Sequence, residues 1–427
     1  MACGGNSRHH NWLALPRHSS PALANKALRL VHLSDIHLGF RQYQRMTPRG
    51  INQREADVAQ AFTRALDKVI ELAPELVLIA GDVFHQVRPT NTAILHAYIQ
   101  FARLRAQLPN AEIVMIAGNH DTPRSAETAC ILRLFTPLGI HVIDAEAQSL
   151  DFPDLNLSVL GVAMNQYPIP QLVPPGTRKW NVLTLHGAVE GMLGPYSASE
   201  ELWTEETLQE DIHASEWDYI GLGHYHVWRK LAPNQFYSGA IDYTSNSTWN
   251  EKEEERLTGV PGKGIIEFDL TTGKDTFHPL KLEREFVDLT QLSARGLTDQ
   301  EVNDEIQNSI DKCPGGIDDK VVRLVVRDLP RHVLRQLDHR MLRDIRRRAL
   351  HFHLDTRRPE IISRTVGHGA PGRRPSLSDF VRDKLRERVL PPDVDRDALV
   401  DLGLRYLKDA EEREGAASVP PGGVELL

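Results

Sequence analysis

Five short stretches of this chain hold side chains able to bind metals. "SDIHLG" offers Asp35 and His37, "AGDVFH" offers Asp82 and His85, "AGNHD" offers Asn119, His120 and Asp121, "LHG" offers His186, and "GLGHYH" offers His224 and His226. Residues two apart on an extended chain project to the same side, so Asp35 with His37, and His224 with His226, can each aim two donors into one space. Carboxylates, imidazoles and one amide oxygen make a mixed nitrogen and oxygen set. Such a set suits Mn²⁺, Fe²⁺ or Zn²⁺ and is too nitrogen-rich for a pure Mg²⁺ or Ca²⁺ cage, and one carboxylate could bridge two ions. Taken singly, each stretch is equally open to a structural reading: two solvated histidines on a surface loop, or a turn at "GD" or "GNHD". Five of them in this order, each where an apolar run stops, are hard to reconcile with structure alone.

The elements that must position these residues are legible as short apolar runs separated by amphipathic segments. "LRLVHLSDIH", "ELVLIAGD", "EIVMIAGNHD", "NVLTLHG" and "YIGLGHYH" read as strands ending in polar residues. In open α/β sheets the carboxyl ends of strands are where sites are built, so the donors should converge. Between the first two runs, Val58, Phe62, Ala65, Leu66, Val69 and Ile70 share one helical face, and "NTAILHAYIQFARLRAQL" follows the second run as another helix. From "FYSGAI" to "KGIIEFDL" the chain turns strand-rich, with "NEKEEERLTG" between them expected as a charged, solvated loop.

Beyond Pro279 the character changes to a small α+β module. "REFVDLT", "KVVRLVVRDL" and "HFHLDT" read as strands, Thr298 to Glu301 is a capping box opening a helix with Val302, Ile306 and Ile310 inward, and Pro330 opens one helix over "PRHVLRQLDHRMLRDIRRRAL". Between Lys320 and Arg358 stand twelve Lys/Arg against four Asp/Glu, which reads equally as a phosphate-binding patch or as a solvated helix face. A linker, "GHGAPGRRPS", leads to two short helical patterns. Leu377, Val381, Leu385 and Val389 with Phe380 stripe the first, and Leu399, Leu402, Tyr406 and Leu407 the second. Such stripes need burial, either on this chain's own domains or in a partner's groove.

Composition narrows the class. The chain has 427 residues, a net charge of −8 and three scattered cysteines, Cys3, Cys130 and Cys313, without CxxC spacing. A disulfide framework and a thiolate zinc site are both disfavoured, and a cytoplasmic location follows as the expectation. No run reaches membrane-span length, so no membrane association is expected, and residues 1–27 read as a disordered leader. His9, His10, His18, His96, His351 and His353 lack a carboxylate partner at ligand-like spacing and read as surface or core residues.

In these motifs the chain resembles the calcineurin-like metallophosphoesterases, whose signature runs D-x-H, G-D, G-N-H-D/E, H and G-H-x-H over roughly Leu28 to Leu280. Within them "DIHLG", "GDVFHQVRPTN", "YSGAIDYTS" and the downstream module are similar to SbcD-type DNA repair nuclease subunits. The resemblance implies an α/β fold, a four-layer metallophosphoesterase β-sandwich flanked by helices, with a small α+β capping domain and a C-terminal helical tail. The domain bounds it implies are 28–280 for the nuclease domain, 281–366 for the capping and DNA-contact domain, and 367–427 for linker and partner-binding helices. It further implies that Asp35, His37, Asp82 and His226 hold one divalent ion and Asp82, Asn119, His186 and His224 the other, with Asp82 as the bridge. Mn²⁺ is the first expectation, with Fe²⁺, Zn²⁺ or Mg²⁺ as alternatives. His120 takes the general-acid role, Asp121 orients it, and His85 sits near the scissile phosphate. DNA and an SbcC-type, SMC-like ATPase are the implied partners, and a homodimer is compatible with the same reading.

Three functions compete at this point. One is a metal-dependent DNA exonuclease or endonuclease working with an ATPase. The second is a phosphoesterase acting on a nucleotide, phosphoprotein or other small phosphoester, which would not need the basic module. The third, a binding subunit with a dead site, is disfavoured because every ligand type is present.

Overall fold

The computed structural model describes residues 27–123, 129–164, 171–190, 207–359, 377–387 and 395–417. Residues 1–26 of the expected leader therefore lie outside the described residues, as does the Gly/Pro/Arg linker. By compactness the chain divides into two units, Met1–Pro359 and Glu360–Leu427.

In the first unit, β1 (Arg29–Leu33) is followed by α1 (Gln53–Leu72), β2 (Leu76–Ala80), α2 (Asn91–Gln107), β3 (Glu112–Ile116) and β4 (His141–Ile143). β5 (Gln148–Phe152), β6 (Leu157–Val162), β7 (Trp180–His186), α3 (Gln209–Ile212), β8 (Tyr219–Gly223), β9 (Arg229–Ala232) and β10 (Gln235–Tyr237) come next. Then follow α4 (Thr248–Thr258), β11 (Gly264–Asp269) and β12 (Lys274–Pro279). Two six-stranded sheets result, one in the order β12-β11-β1-β2-β3-β4 and the other β5-β6-β7-β8-β10-β9. β1, β2, β3 and β4 run parallel, as do β6, β7 and β8. The architecture is the expected mixed α/β one, two sheets with flanking helices.

Alternation along the strands explains the layering. On β1 and β2, Val31, Leu33, Val77 and Ile79 face a core shared with α1 and α2, while Leu30, Leu76, Leu78 and Ala80 face the second sheet through Val159, Val182 and Tyr219. α1 buries Val58, Phe62, Ala65, Leu66 and Val69 as its periodicity predicts, with Ile70 partly buried. Asn52 caps it, accepting from the N–H groups of Arg54 and Glu55.

"NEKEEERLTG" is not a solvated loop. It lies in α4, whose Glu251, Glu254 and Glu255 are buried. Those residues fall at i, i+3 and i+4, one helical face, where buried Lys263 meets Glu251 and Glu255 and the Tyr225 hydroxyl meets Glu254.

The small module has its own core. β13 (Phe286–Asp288), β14 (Leu292–Ser293), α5 (Asp299–Asp311), β15 (Val321–Arg327), α6 (Arg331–Gln336), α7 (His339–Arg348) and β16 (His351–Thr356) surround Val302, Ile306, Ile310, Val322, Leu324 and Ile345. All three partners of β15 run parallel to it. The Thr298/Glu301 capping box is formed. The single helix expected after Pro330 is broken, because Asp338 turns its carboxylate to the N–H groups of Arg340 and Met341 and caps a second helix. The module is tied to the loop between β1 and α1. Arg45 donates to the carbonyls of Arg347 and Ala349 at 2.9 Å, and Tyr43 stacks on His351 at 4.0 Å.

In the second unit, α8 (Leu377–Glu387) packs on α9 (Arg396–Ala417), with Leu385 and Val381 over Gly403. Of the expected stripe of α9, Leu402 and Tyr406 are exposed while Leu399 and Leu407 are partly buried, and Val400, outside that stripe, is buried. Val389 lies outside the described residues.

Candidate metal centre

The strands deliver the donors to one place through strained turns. Asp35 and His37 follow β1, Asp82 follows β2, Asn119 to Asp121 follow β3, His186 ends β7, and His224 and His226 follow β8. Asp35, His37 and Asp82 all have φ of 51°, and His224 has φ of 99°. A non-glycine residue in this region stores on the order of 1–3 kcal/mol, and such strain concentrates at functional sites. Two glycines make the convergence possible. A Cβ at Gly81, whose φ is +92°, would enter the His186 ring, and one at Gly118 would strike the Asp82 carboxylate.

The donors meet across the gap between the sheets. His37 Nε2 faces His226 Nε2 at 3.1 Å. Asp82 Oδ2 lies 3.7 Å from His37 Nε2 and 3.4 Å from His186 Nε2. Asn119 Oδ1 is 3.1 Å from His186 Nε2 and 3.3 Å from His224 Nδ1. Asp35 accepts the backbone N–H of His224 at 3.0 Å and is fully buried. Asp35, His37 and His226 form one group able to hold a metal ion, and Asp35, Asp82 and His186 a second. All seven residues expected as ligands are thus brought together.

The electrostatics fit cations. Burial favours the neutral form of Asp82, yet His186, His37 and His120 outweigh it and hold the carboxyl well below its usual range. Burial opposes a charged His186, but Asp82 raises it to about 9. Burial holds His37 well below its ordinary value and, with His186, takes His224 down to about 3, leaving lone pairs for ligation. The His186 ring is fixed by its Nδ1, 2.7 Å from the Ala80 carbonyl, which leaves Nε2 aimed into the site. Facing imidazole nitrogens and two buried carboxylates are a donor set that a pair of divalent cations satisfies.

Of the three expected catalytic residues, His85 and His120 lie at the rim and Asp121 lies beneath it. His120 and His85 stack at 5.2 Å between ring centroids, and His120 Nδ1 contacts the His85 carbonyl at 2.7 Å. His85 Nδ1 lies 3.5 Å from His37 Nδ1, and burial together with His120 lowers His85 to about 4. Asp121 is fully buried, and its carboxylate accepts the N–H groups of Val83, Phe84 and Gly118 at 3.0, 3.0 and 3.2 Å. It therefore joins the loop after β3 to the loop after β2.

One group was missed in the sequence. Glu251 on α4 sits behind His226 with its carboxylate 3.6 Å from Nδ1, paired with buried Lys263. Its only sequence signal is the helical spacing of Glu251, Glu254 and Glu255. His96 is structural, bonded to the Ala59 carbonyl at 2.9 Å. Cys130 and Cys313 are buried free thiols. Among the described residues no helix is long and apolar enough to cross a membrane.

The calcineurin-like phosphoesterase family model matches residues 28–247. The DNA double-strand break repair protein Mre11 of Methanocaldococcus jannaschii is 24% identical over 301 residues, 67% of this chain and 74% of that protein. The protein of the same name from Sulfolobus acidocaldarius is 29% identical over 237 residues, covering 53% and 56% of the two chains. That from Methanococcus maripaludis is 36% identical over 100 residues, 23% of this chain and 25% of its own length.

Proposed function

Because this chain belongs to the calcineurin-like phosphoesterase family, we propose that it is a dinuclear-metal-dependent DNA nuclease that hydrolyses phosphodiester bonds in DNA repair. The observation that carries the proposal is the meeting of Asp35, His37, Asp82, Asn119, His186, His224 and His226 between the two sheets. Asp35, His37, Asp82 and His226 would hold one ion and Asp82, Asn119, His186 and His224 the other, with Mn²⁺ favoured by the mixed donors. When bound, two such ions act as Lewis acids on the phosphate and lower the pKa of water.

The chain's own residues do the rest. Asp82, between His37 and His186, would be the carboxylate shared by the two ions. His120, whose Nδ1 lies on the His85 carbonyl, would in its imidazolium form deliver a proton to the leaving oxygen. His85, stacked on His120, lines the approach of the scissile phosphate. Asp121 seats both loops. The DNA reading draws support from the relatives' printed name and from the module, where Arg340, Arg343, Arg346 and Arg347 are exposed along α7. An SbcC-type ATPase is the proposed partner, docking on the unit that contains α8 and α9.

The purified protein is expected to degrade linear duplex DNA with Mn²⁺ and to lose that activity in chelator. Hydrolysis of a generic small phosphodiester with no activity on DNA of any form would overturn the nuclease reading in favour of a small-phosphoester substrate.

A further inference from the structure

Behind His226 lies a cluster drawn from three segments. Glu251, from α4, is fully buried and takes the Ser245 hydroxyl, the Lys263 ammonium and, at 3.6 Å, His226 Nδ1. Lys263, just before β11, is 3% exposed and also donates to the His226 carbonyl at 2.8 Å and reaches Glu255 at 3.1 Å. Glu255 in turn accepts the Tyr243 hydroxyl at 2.6 Å. The backbone of His226 is therefore held by a buried network whose Glu251 carboxylate also faces its ring.

A buried ion pair is weak evidence for stability, since desolvation offsets most of the attraction. Its placement against a single imidazole nitrogen has a chemical use. A proton on Nδ1, facing Glu251, leaves the Nε2 lone pair facing His37 Nε2 at 3.1 Å, where the donors converge. His186 is held in the same sense by a carbonyl, and here the partner is a carboxylate, which also makes the ring more basic as a ligand. At 3.6 Å the contact is longer than a hydrogen bond, and a shift of about half an ångström closes it.

We infer that Glu251, seated by Lys263, is a positioning residue that fixes the tautomer and orientation of the His226 ring toward the metal centre. This rests on the dinuclear reading above.

The test is Mn²⁺ titration of the full chain by calorimetry, with electron paramagnetic resonance of the coupled Mn²⁺ pair. Wild type should bind two ions. Glu251→Gln should weaken one of them about 10–100-fold and diminish the coupled signal. Glu255→Gln, which also removes a carboxylate from Lys263 but does not face His226, should bind as wild type. Should Glu251→Gln fail to fold, Glu251→Gln/Lys263→Met removes both buried charges and must show the same loss. Two tightly held ions in the Glu251 variants, or equal losses in Glu251→Gln and Glu255→Gln, would overturn the assignment alone. A wild-type chain that binds no pair of ions would overturn the dinuclear reading and this inference with it.

Discussion

The Nε2 atoms of His37 and His226 face each other at 3.1 Å, one carried by the loop after β1 and the other by the loop after β8, so each sheet contributes half of a single cation site. Two imidazole lone pairs held at that distance repel unless a proton or a metal lies between them. The centre should therefore respond to removal of metal or of any one carboxylate.

Asp82 is in reach of both His37 and His186. Asp82→Ala should lower hydrolysis by at least about 10³-fold and reduce bound metal while leaving the circular dichroism spectrum unchanged. Metal analysis beside a phosphodiesterase assay checks this, and full activity in the variant would refute the bridging role.

His120 should separate metal binding from turnover. His120→Asn is expected to keep both ions and to lose about 10²–10⁴-fold in rate, the range of general-acid contributions. Parallel loss of metal and rate would make His120 a ligand instead.

Arg54 is a buried cation joined to Asp57 at 3.3 Å and to Asp242 at 2.9 Å, with Arg284 on the far side of Asp57. Arg54→Met leaves two buried carboxylates short of a counter-charge, for a loss of about 3–5 kcal/mol. Urea denaturation of the metal-free protein measures it, and a change below about 1 kcal/mol would show that Arg284 alone suffices.

His32, wedged between the sheets with Nδ1 3.0 Å from the Tyr219 hydroxyl, is pushed by burial down to about 3. Its folded value lies below the unfolded one, so between pH 6.5 and 3 the unfolded chain takes up a proton that the native chain refuses. Stability from this group is complete above 6.5 and declines as pH falls toward 3, by a few kcal/mol in all. His32→Gln should flatten that part of the stability profile. An identical acid slope in wild type and variant would show that His32 does not set it.

The second compact unit begins after Pro359. A chain ending at Ala370 should keep metal binding and weak nuclease activity yet fail to co-purify with a co-expressed SbcC-type ATPase. Unchanged co-purification would remove α8 and α9 from the proposed docking site.

The sequence alone determined the ligand types, their order and their places at strand ends, because those depend on local apolar runs and on two-residue spacing. It also marked α1, the Thr298 capping box and the strands of the module, where periodicity and capping act over a few residues. What only tertiary structure decided involves partners distant in the chain. Glu251 reads as a solvated charge until Lys263 and His226 meet it in the interior, since burial of a carboxylate depends on non-local counter-charges. The break at Asp338 depended on a carboxylate turning to cap rather than continue a helix. The exposure of Leu402 and Tyr406 followed from which face of α9 met α8. Asp121 could be placed beside His120 from sequence, but its bonds to Val83 and Phe84 exist only because the loops after β2 and β3 close on each other.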